Sequence, residues 1–180
     1  MDENAVRLPV VGVMGSGSEA HDALARPLGV LIARLGCHLL TGGGQGVMRA
    51  VASGFVPVRP RDGLSLGILP GDLETGKCRP PAGYPNDRVE LAIRTHLSGR
   101  GEAGAGSRNT VNILSADVLV ILPGGAGTRS EAQLAVRFSK PAISLGAGYD
   151  GLPRAESLEG VEEFLVKTLR KKRQQGCEPS

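Results

Sequence analysis

The chain has 180 residues, of which 41% are hydrophobic, and a formal net charge of +3. This length and apolar content suit one domain with a hydrophobic core, spanning residues 1–180. Only 3% of the residues are aromatic and none is tryptophan, which argues against binding of single-stranded nucleic acid by base stacking. The basic run at residues 170–173 is typical of a solvated helix end, so we expect no nucleic-acid partner.

The cysteines and the apolar runs predict where the protein works. Cys37, Cys78 and Cys177 share no metal-ligand spacing and do not form an even disulfide set. This pattern favours a reducing, cytoplasmic compartment and predicts no metal site in the protein. The apolar run at residues 9–14 has the length of a strand and lacks a cleavage site, so we expect no signal peptide and no membrane association.

Strand and helix patterns alternate through the first half of the chain. A strand at residues 9–14 leads through a Gly-Ser turn into a helix at 19–35, in which Pro27 predicts a kink or a break. The remaining elements of this half are a strand at 37–40, a helix at 47–54, a strand at 64–69, a loop at 71–85 and a strand at 89–93.

The second half continues the alternation after a glycine-rich loop at residues 99–106. Its elements are a short helix at 109–114, a strand at 118–122, a helix at 130–139, a strand at 142–145 and a helix at 158–173. Leu134, Ala135 and Phe138 are expected on the buried face of the fourth helix. The order predicts an α/β fold, a Rossmann-like doubly wound parallel sheet, with ligands at the carboxyl ends of the strands.

Two glycine-rich turns each connect a predicted strand to a predicted helix. The first holds Gly42, Gly43, Gly44 and Gly46, and the second holds Gly124, Gly125, Gly127 and Thr128. Unpaired N–H groups and the positive end of a helix dipole favour a phosphate at such a position. Neither turn matches the dinucleotide fingerprint or the Walker phosphate loop. The turns therefore predict a phosphate cradle of another class.

The Gly-Ser turn after the first strand has two interpretations. Gly15 and Ser16 either contact the same ligand, or Ser16 caps the first helix.

Three motifs together resemble the Lonely Guy superfamily, whose members were long labelled lysine decarboxylases. They are the segments 41–48, 107–109 and 123–131. The resemblance extends from about residue 10 to residue 146 and is closest to the branch of molybdenum-cofactor carrier proteins. No lysine lies in a recognisable pyridoxal-phosphate motif, so lysine decarboxylation is not expected.

The resemblance implies a ligand and an assembly. The ligand would be phosphorylated and nucleotide-like, for example a molybdopterin-type cofactor or a nucleotide, with Arg108 and Asn109 among the residues that bind it. No cofactor of the protein's own is required. Members of the superfamily are typically homodimers or larger homo-oligomers. Asn112 shares a helix face with Asn109, and it either reaches the pocket or is solvated.

The superfamily's cytokinin-nucleotide phosphoribohydrolases use an arginine and a glutamate that match Arg108 and Glu131. A carboxylate can stabilise an oxocarbenium-like sugar or activate water, while an arginine holds a phosphate. The same pair also suits binding alone, and each residue has a structural alternative, a surface ion pair for Arg108 and a helix-dipole contact for Glu131.

Two departures from the hydrolase pattern weigh against a cytokinin-type substrate. The residues around Arg108 lack the hydrolases' methionine, histidine and lysine, and the first glycine turn is one residue shorter. A cofactor carrier or storage protein is therefore the leading hypothesis. A nucleoside 5′-monophosphate phosphoribohydrolase and a nucleotide-sensing scaffold are the alternatives.

Overall fold

The computed structural model describes residues 7–71, 80–98 and 107–175. The predicted loop at 99–106, most of the one at 71–85, Cys78 and Cys177 lie outside the described residues.

Within the described residues, seven parallel strands form one sheet. They are β1 (Val10–Met14), β2 (His38–Thr41), β3 (Ser65–Leu69), β4 (Leu91–Arg94), β5 (Val118–Ile121), β6 (Ala142–Leu145) and β7 (Arg154–Ala155). The strand order is β4-β3-β2-β1-β5-β6-β7. The chain winds outward from β1 in one direction and then from β5 in the other, which confirms the predicted doubly wound α/β fold.

Five helices cover the two faces of this sheet in the described part of the chain. They are α1 (Asp22–Arg34), α2 (Val47–Phe55), α3 (Arg108–Ser115), α4 (Ala126–Arg137) and α5 (Leu158–Gln175). On one face, α1 packs against α2 and α5, and on the other α3 packs against α4. None of the helices described is long and apolar enough to cross a membrane.

The central strands are buried on both faces, as their apolar runs predict. Side chains alternate between two core clusters. Val11 and Val13 pack under α1, α2 and α5, whereas Met14 packs under α3 and α4. Adjacent strands follow the same pattern, since Val11 is in register with Val118 and Leu39. This parallel register brings the carboxyl ends of β1, β2 and β5 side by side.

Helix α4 differs most from the prediction, because it begins at Ala126 with Gly125 as its N-cap. Gly127 and Thr128 therefore belong to its first turn rather than to a preceding loop. The expectation that Phe138 is buried is wrong. The helix ends at Arg137, and Phe138 leaves the buried face with 37% of its surface exposed.

Helix α1 also differs, since it starts at Asp22 and continues through Pro27 as one helix rather than two. Pro27 lies on the exposed side, where the carbonyl that loses its helical partner can face water.

At the sheet edges, β7 was not predicted because two residues carry no pattern, and β4 begins two residues later than expected. Glu90, just before β4, accepts a hydrogen bond from the backbone N of Ser65 at 2.8 Å.

Candidate functional site

A cleft of about 420 Å³ lies at the carboxyl ends of the strands, where the order reverses between β1 and β5. Ligands of open α/β sheets bind at this position. Nine of the residues singled out from the sequence line the cleft: Gly15, Ser16, Gly42, Arg108, Asn109, Gly125, Gly127, Thr128 and Glu131.

Ser16 joins the three segments that surround the cleft. Its backbone N donates to the carbonyl of Pro123 at 3.0 Å, and its carbonyl accepts from the backbone N of Val47 at 2.9 Å. Its hydroxyl oxygen accepts from the backbone N of Glu19 at 2.9 Å, inside the turn that precedes α1. Because α1 begins only at Asp22, Ser16 does not cap that helix. It fixes the loop after β1 against β5 and α2.

The second glycine turn combines close packing with open backbone. A Cβ at Gly124 would collide with Oγ1 of Thr128 and would stand 2.8 Å from the backbone N of Ser16. Gly124 therefore lets Thr128 and Ser16 approach each other, and it is not itself part of the cleft lining. Among the described residues, and apart from chain neighbours and the backbone of α4 itself, no heavy atom lies within 4 Å of an ideal Cβ on Gly125 or Gly127. Their backbone faces open space at the N-terminus of α4, where a phosphate would be favoured.

Arg108 is the first residue of α3 and reaches back over the end of β2. Ser107 caps the helix, since its side chain accepts from the backbone N of Asn109 at 3.2 Å. Nη1 of Arg108 lies in the space where a Cβ on Gly42 would stand. The side chain is 5% exposed, and its buried Nε has no hydrogen-bond partner in the described part of the chain. A buried cation with free donors is suited to an anionic ligand.

Glu131 projects from α4 into the same cleft and is 8% exposed. Burial raises the pKa of its carboxyl to about 7, and the positive charge of Arg108 opposes part of that rise. Among the described residues the two groups form no direct ion pair. The carboxyl can therefore exchange a proton near neutral pH, so the charge of the cleft depends on pH.

Most of the first glycine turn packs against neighbouring segments, and only Gly42 lines the cleft. Gly43 and Gly46 have φ angles of 74° and 60°, which favour glycine. The carbonyls of Gly43 and Gly44 accept hydrogen bonds from the backbone N and from Nδ2 of Asn86, at 2.8 and 2.6 Å. The ring of Tyr84 packs against Gly44. Gly43, Gly44 and Gly46 thus determine the conformation of the turn without lining the cleft.

Sequence reasoning did not identify two methionines in the cleft, Met14 and Met48. Sδ of Met48 accepts a hydrogen bond from the backbone N of Gly44 at 3.3 Å. Their positions beside the glycine turns were the available signal. Gly17, Ser18 and Val13 also line the cleft. Among the described residues, no group of His, Cys, Asp and Glu is placed to hold a metal ion.

Known proteins of the same architecture match nearly the whole chain. The structure of the molybdenum cofactor binding protein from the phototrophic bacterium Rippkaea orientalis has a TM-score of 0.73 and 33% identity, covering 92% of this chain and 99% of that one. The structure of the molybdenum cofactor carrier protein from Chlamydomonas reinhardtii superposes on this one with a TM-score of 0.71. The two chains are 29% identical, and the match covers 91% of this chain and 99% of that one. These neighbours confirm the resemblance to the carrier branch.

The sequence comparisons agree with the structural ones. An uncharacterised protein of Archaeoglobus fulgidus is 34% identical over 142 residues, which are 78% of this chain and 82% of that protein. A model of the SLOG cluster4 family matches residues 8–175. The chain therefore belongs to the SLOG cluster4 family.

Proposed function

We propose that this protein binds a molybdenum cofactor, or a closely similar phosphorylated ligand, in the cleft between β1 and β5 and acts as its carrier or store. The names of the Rippkaea and Chlamydomonas proteins support this proposal, since almost the whole of each aligns with this chain. The single observation that carries it is the buried guanidinium of Arg108, which lies against Gly42 in the wall of the cleft and whose Nε has no partner among the residues that the structure describes.

The donors around the cleft fit the phosphate of such a ligand. Arg108 supplies a fixed positive charge, Thr128 a hydroxyl, and the first turn of α4 its N–H groups beside Gly125 and Gly127. A volume of about 420 Å³ is within the range of small-molecule sites. The molybdenum would belong to the ligand, so the protein would need to supply anchoring and shielding but no metal ligands of its own.

Assembly and location form part of the proposal. We propose that the protein works in the cytoplasm as a homodimer or larger homo-oligomer, without nucleic-acid or membrane partners. The support is the family resemblance and the cysteine pattern, in which Cys37 is buried.

Binding would be tested by calorimetry and thermal denaturation with three probes: inorganic phosphate, AMP, and molybdenum cofactor released from a cofactor-containing enzyme. Arg108→Ala is expected to abolish the heat of binding and the thermal stabilisation. Arg154→Ala, which removes a half-exposed arginine on β7, is the matched control and should bind like the native protein.

The same samples distinguish a carrier from a phosphoribohydrolase. A carrier leaves AMP intact, whereas a hydrolase releases adenine and ribose 5-phosphate. Release of free base that disappears in Glu131→Ala would overturn the carrier function, as would failure of all three probes to bind.

A further inference from the structure

Asn112 carries a fully buried amide that has no hydrogen-bond partner among residues 7–71, 80–98 and 107–175. Its exposure is 0%, and neither Oδ1 nor Nδ2 has a hydrogen-bond partner in the part of the chain that the structure describes. A buried polar group left unpaired costs folding free energy, so native proteins retain few of them. An apolar side chain of similar size would avoid this cost, so the presence of an amide calls for an explanation.

The position of Asn112 relates it to Arg108. The two residues are four apart on α3, so they lie on the same face of the helix in successive turns. Nε of Arg108 is also buried and has no partner among the described residues. Within that part of the chain, the buried side of one short helix therefore carries three unpartnered atoms, which are the donors Nε and Nδ2 and the acceptor Oδ1. Arg108 lines the cleft, while Asn112 lies one turn deeper and does not.

We propose that Asn112 is a positioning residue for the anion site, whose Oδ1 accepts a hydrogen bond from a bridging water molecule that in turn accepts one from Nε of Arg108. The inference rests on the proposed binding of a phosphorylated ligand. A guanidinium has five N–H donors. A hydrogen bond that orients Nε leaves the two terminal nitrogens of the guanidinium free to face the ligand. One of them, Nη1, lies over Gly42. The unfavourable burial of an amide is thus explained by the orientation of the arginine above it.

A double-mutant cycle tests the coupling with inorganic phosphate as the probe, measured by calorimetry. Asn112→Leu is expected to weaken phosphate binding about tenfold, because a hydrogen bond to a charged group is lost. Its thermal unfolding midpoint should stay close to that of the native protein, because removal of the unpartnered Nδ2 offsets the loss of the partner of Nε. A loss of affinity without a loss of stability is a signature that a structural role would not give.

The second arm of the cycle uses Arg108→Lys. Lysine keeps the positive charge but has no guanidinium and therefore lacks the Nε donor. In that background, Asn112→Leu should change phosphate affinity by less than about twofold. Equal losses in both backgrounds would overturn the positioning role. Leu114→Ala is the control on the same helix, because Leu114 is 49% exposed, and it should bind phosphate like the native protein.

An isosteric pair keeps the inference testable if Asn112→Leu does not fold. Asn112→Thr retains an oxygen acceptor and Asn112→Val does not, so the threonine variant should bind phosphate more tightly than the valine variant. Equal affinities would contradict the inference.

Failure of the proposed anion site and failure of the proposed role of Asn112 give different results. If the native protein and Arg108→Ala both fail to bind phosphate, the anion site itself is wrong. If native binding is lost in Arg108→Ala but retained in full in Asn112→Leu, only the role of Asn112 is wrong.

Discussion

Nη1 of Arg108 lies against the Cα of Gly42, in the space that the Cβ of any other residue would occupy. Gly42 directly follows β2 and Arg108 begins α3, so this contact joins the two sides of the cleft. Sδ of Met48 borders the same space, at 3.0 Å from an ideal Cβ on Gly42. The absence of a side chain at residue 42 therefore determines where the arginine can lie.

Gly42→Ala is expected to displace the guanidinium and to weaken phosphate binding about tenfold, the loss typical of one charged hydrogen bond. Gly42 does not have a positive φ, so alanine is compatible with its backbone and the effect is steric. Calorimetric titration with phosphate measures it. Gly148→Ala is the control, since its Cβ would meet only Cδ of Arg154 at 4.0 Å. Native affinity in Gly42→Ala would show that the contact does not position Arg108.

Glu131 makes stability depend on pH. Its pKa is about 7 in the folded protein, against an ordinary value of 4.5, because burial disfavours the charged form. Between these two values the native state binds more protons than the unfolded state, so this group's contribution to stability falls as pH rises towards 7. Above that pH the buried carboxylate is ionised and destabilises the fold.

Glu131→Gln is therefore expected to be more stable than the native protein at pH 8, by about 2 to 3 kcal/mol, and equally stable near pH 4.5. Urea unfolding of both proteins across this range gives the difference, and the other titrating groups cancel in the comparison. A stability difference that does not change with pH would show that Glu131 does not titrate with a raised pKa.

The sheet and the location of the cleft could be predicted because their signals are local. Val118 and Leu119 belong to an apolar run of strand length, and Gly124 and Gly125 follow it after a single proline. The cleft methionines could not be predicted from periodicity, which places Met14 and Met48 in the core. Met14 packs in a core cluster and Met48 is 9% exposed, but each also borders the cleft because it flanks a turn. Phe138 fits the helical period yet lies one residue beyond the end of the helix.

The roles of individual glycines required coordinates. Residues 42 and 43 are both glycine and nothing in the sequence distinguishes them, yet of the two only Gly42 lines the cleft. A Cβ at Gly43 would collide with Cδ2 of Leu69, in a strand on the other side of the turn. Such contacts join residues far apart in the chain, and no local pattern encodes them.

Helices α1 and α2 approach each other through glycines, which makes their packing sensitive to a single methyl group. A Cβ at Gly29 would collide with the carbonyl oxygen of Val51, and a Cβ at Gly54 would collide with the carbonyl oxygen of Arg26. Gly29→Ala is expected to lower the free energy of unfolding by about 1 to 3 kcal/mol, because backbone must move to admit the methyl group. Chemical denaturation measures the change.

The control for Gly29→Ala is Gly160→Ala on α5. A Cβ at Gly160 would meet Cβ of Ala155 at 3.5 Å, an ordinary contact, and alanine has the better helix propensity. This variant should be as stable as the native protein or more stable. If both variants were equally stable, the close approach of α1 and α2 would not restrict residue 29.

Asn86 fixes the first glycine turn from behind and is 4% exposed. Its Nδ2 donates to the carbonyl of Gly44 at 2.6 Å, and its Oδ1 accepts from the backbone N of Arg88 at 2.9 Å. Asn86→Ala leaves both backbone groups without these partners and is expected to cost about 1 to 3 kcal/mol in urea unfolding. Asn86→Asp keeps the acceptor for Arg88 but places a carboxylate oxygen beside the Gly44 carbonyl, so it should be at least as destabilising. If the aspartate variant were as stable as the native protein, the Nδ2 contact would not hold the turn.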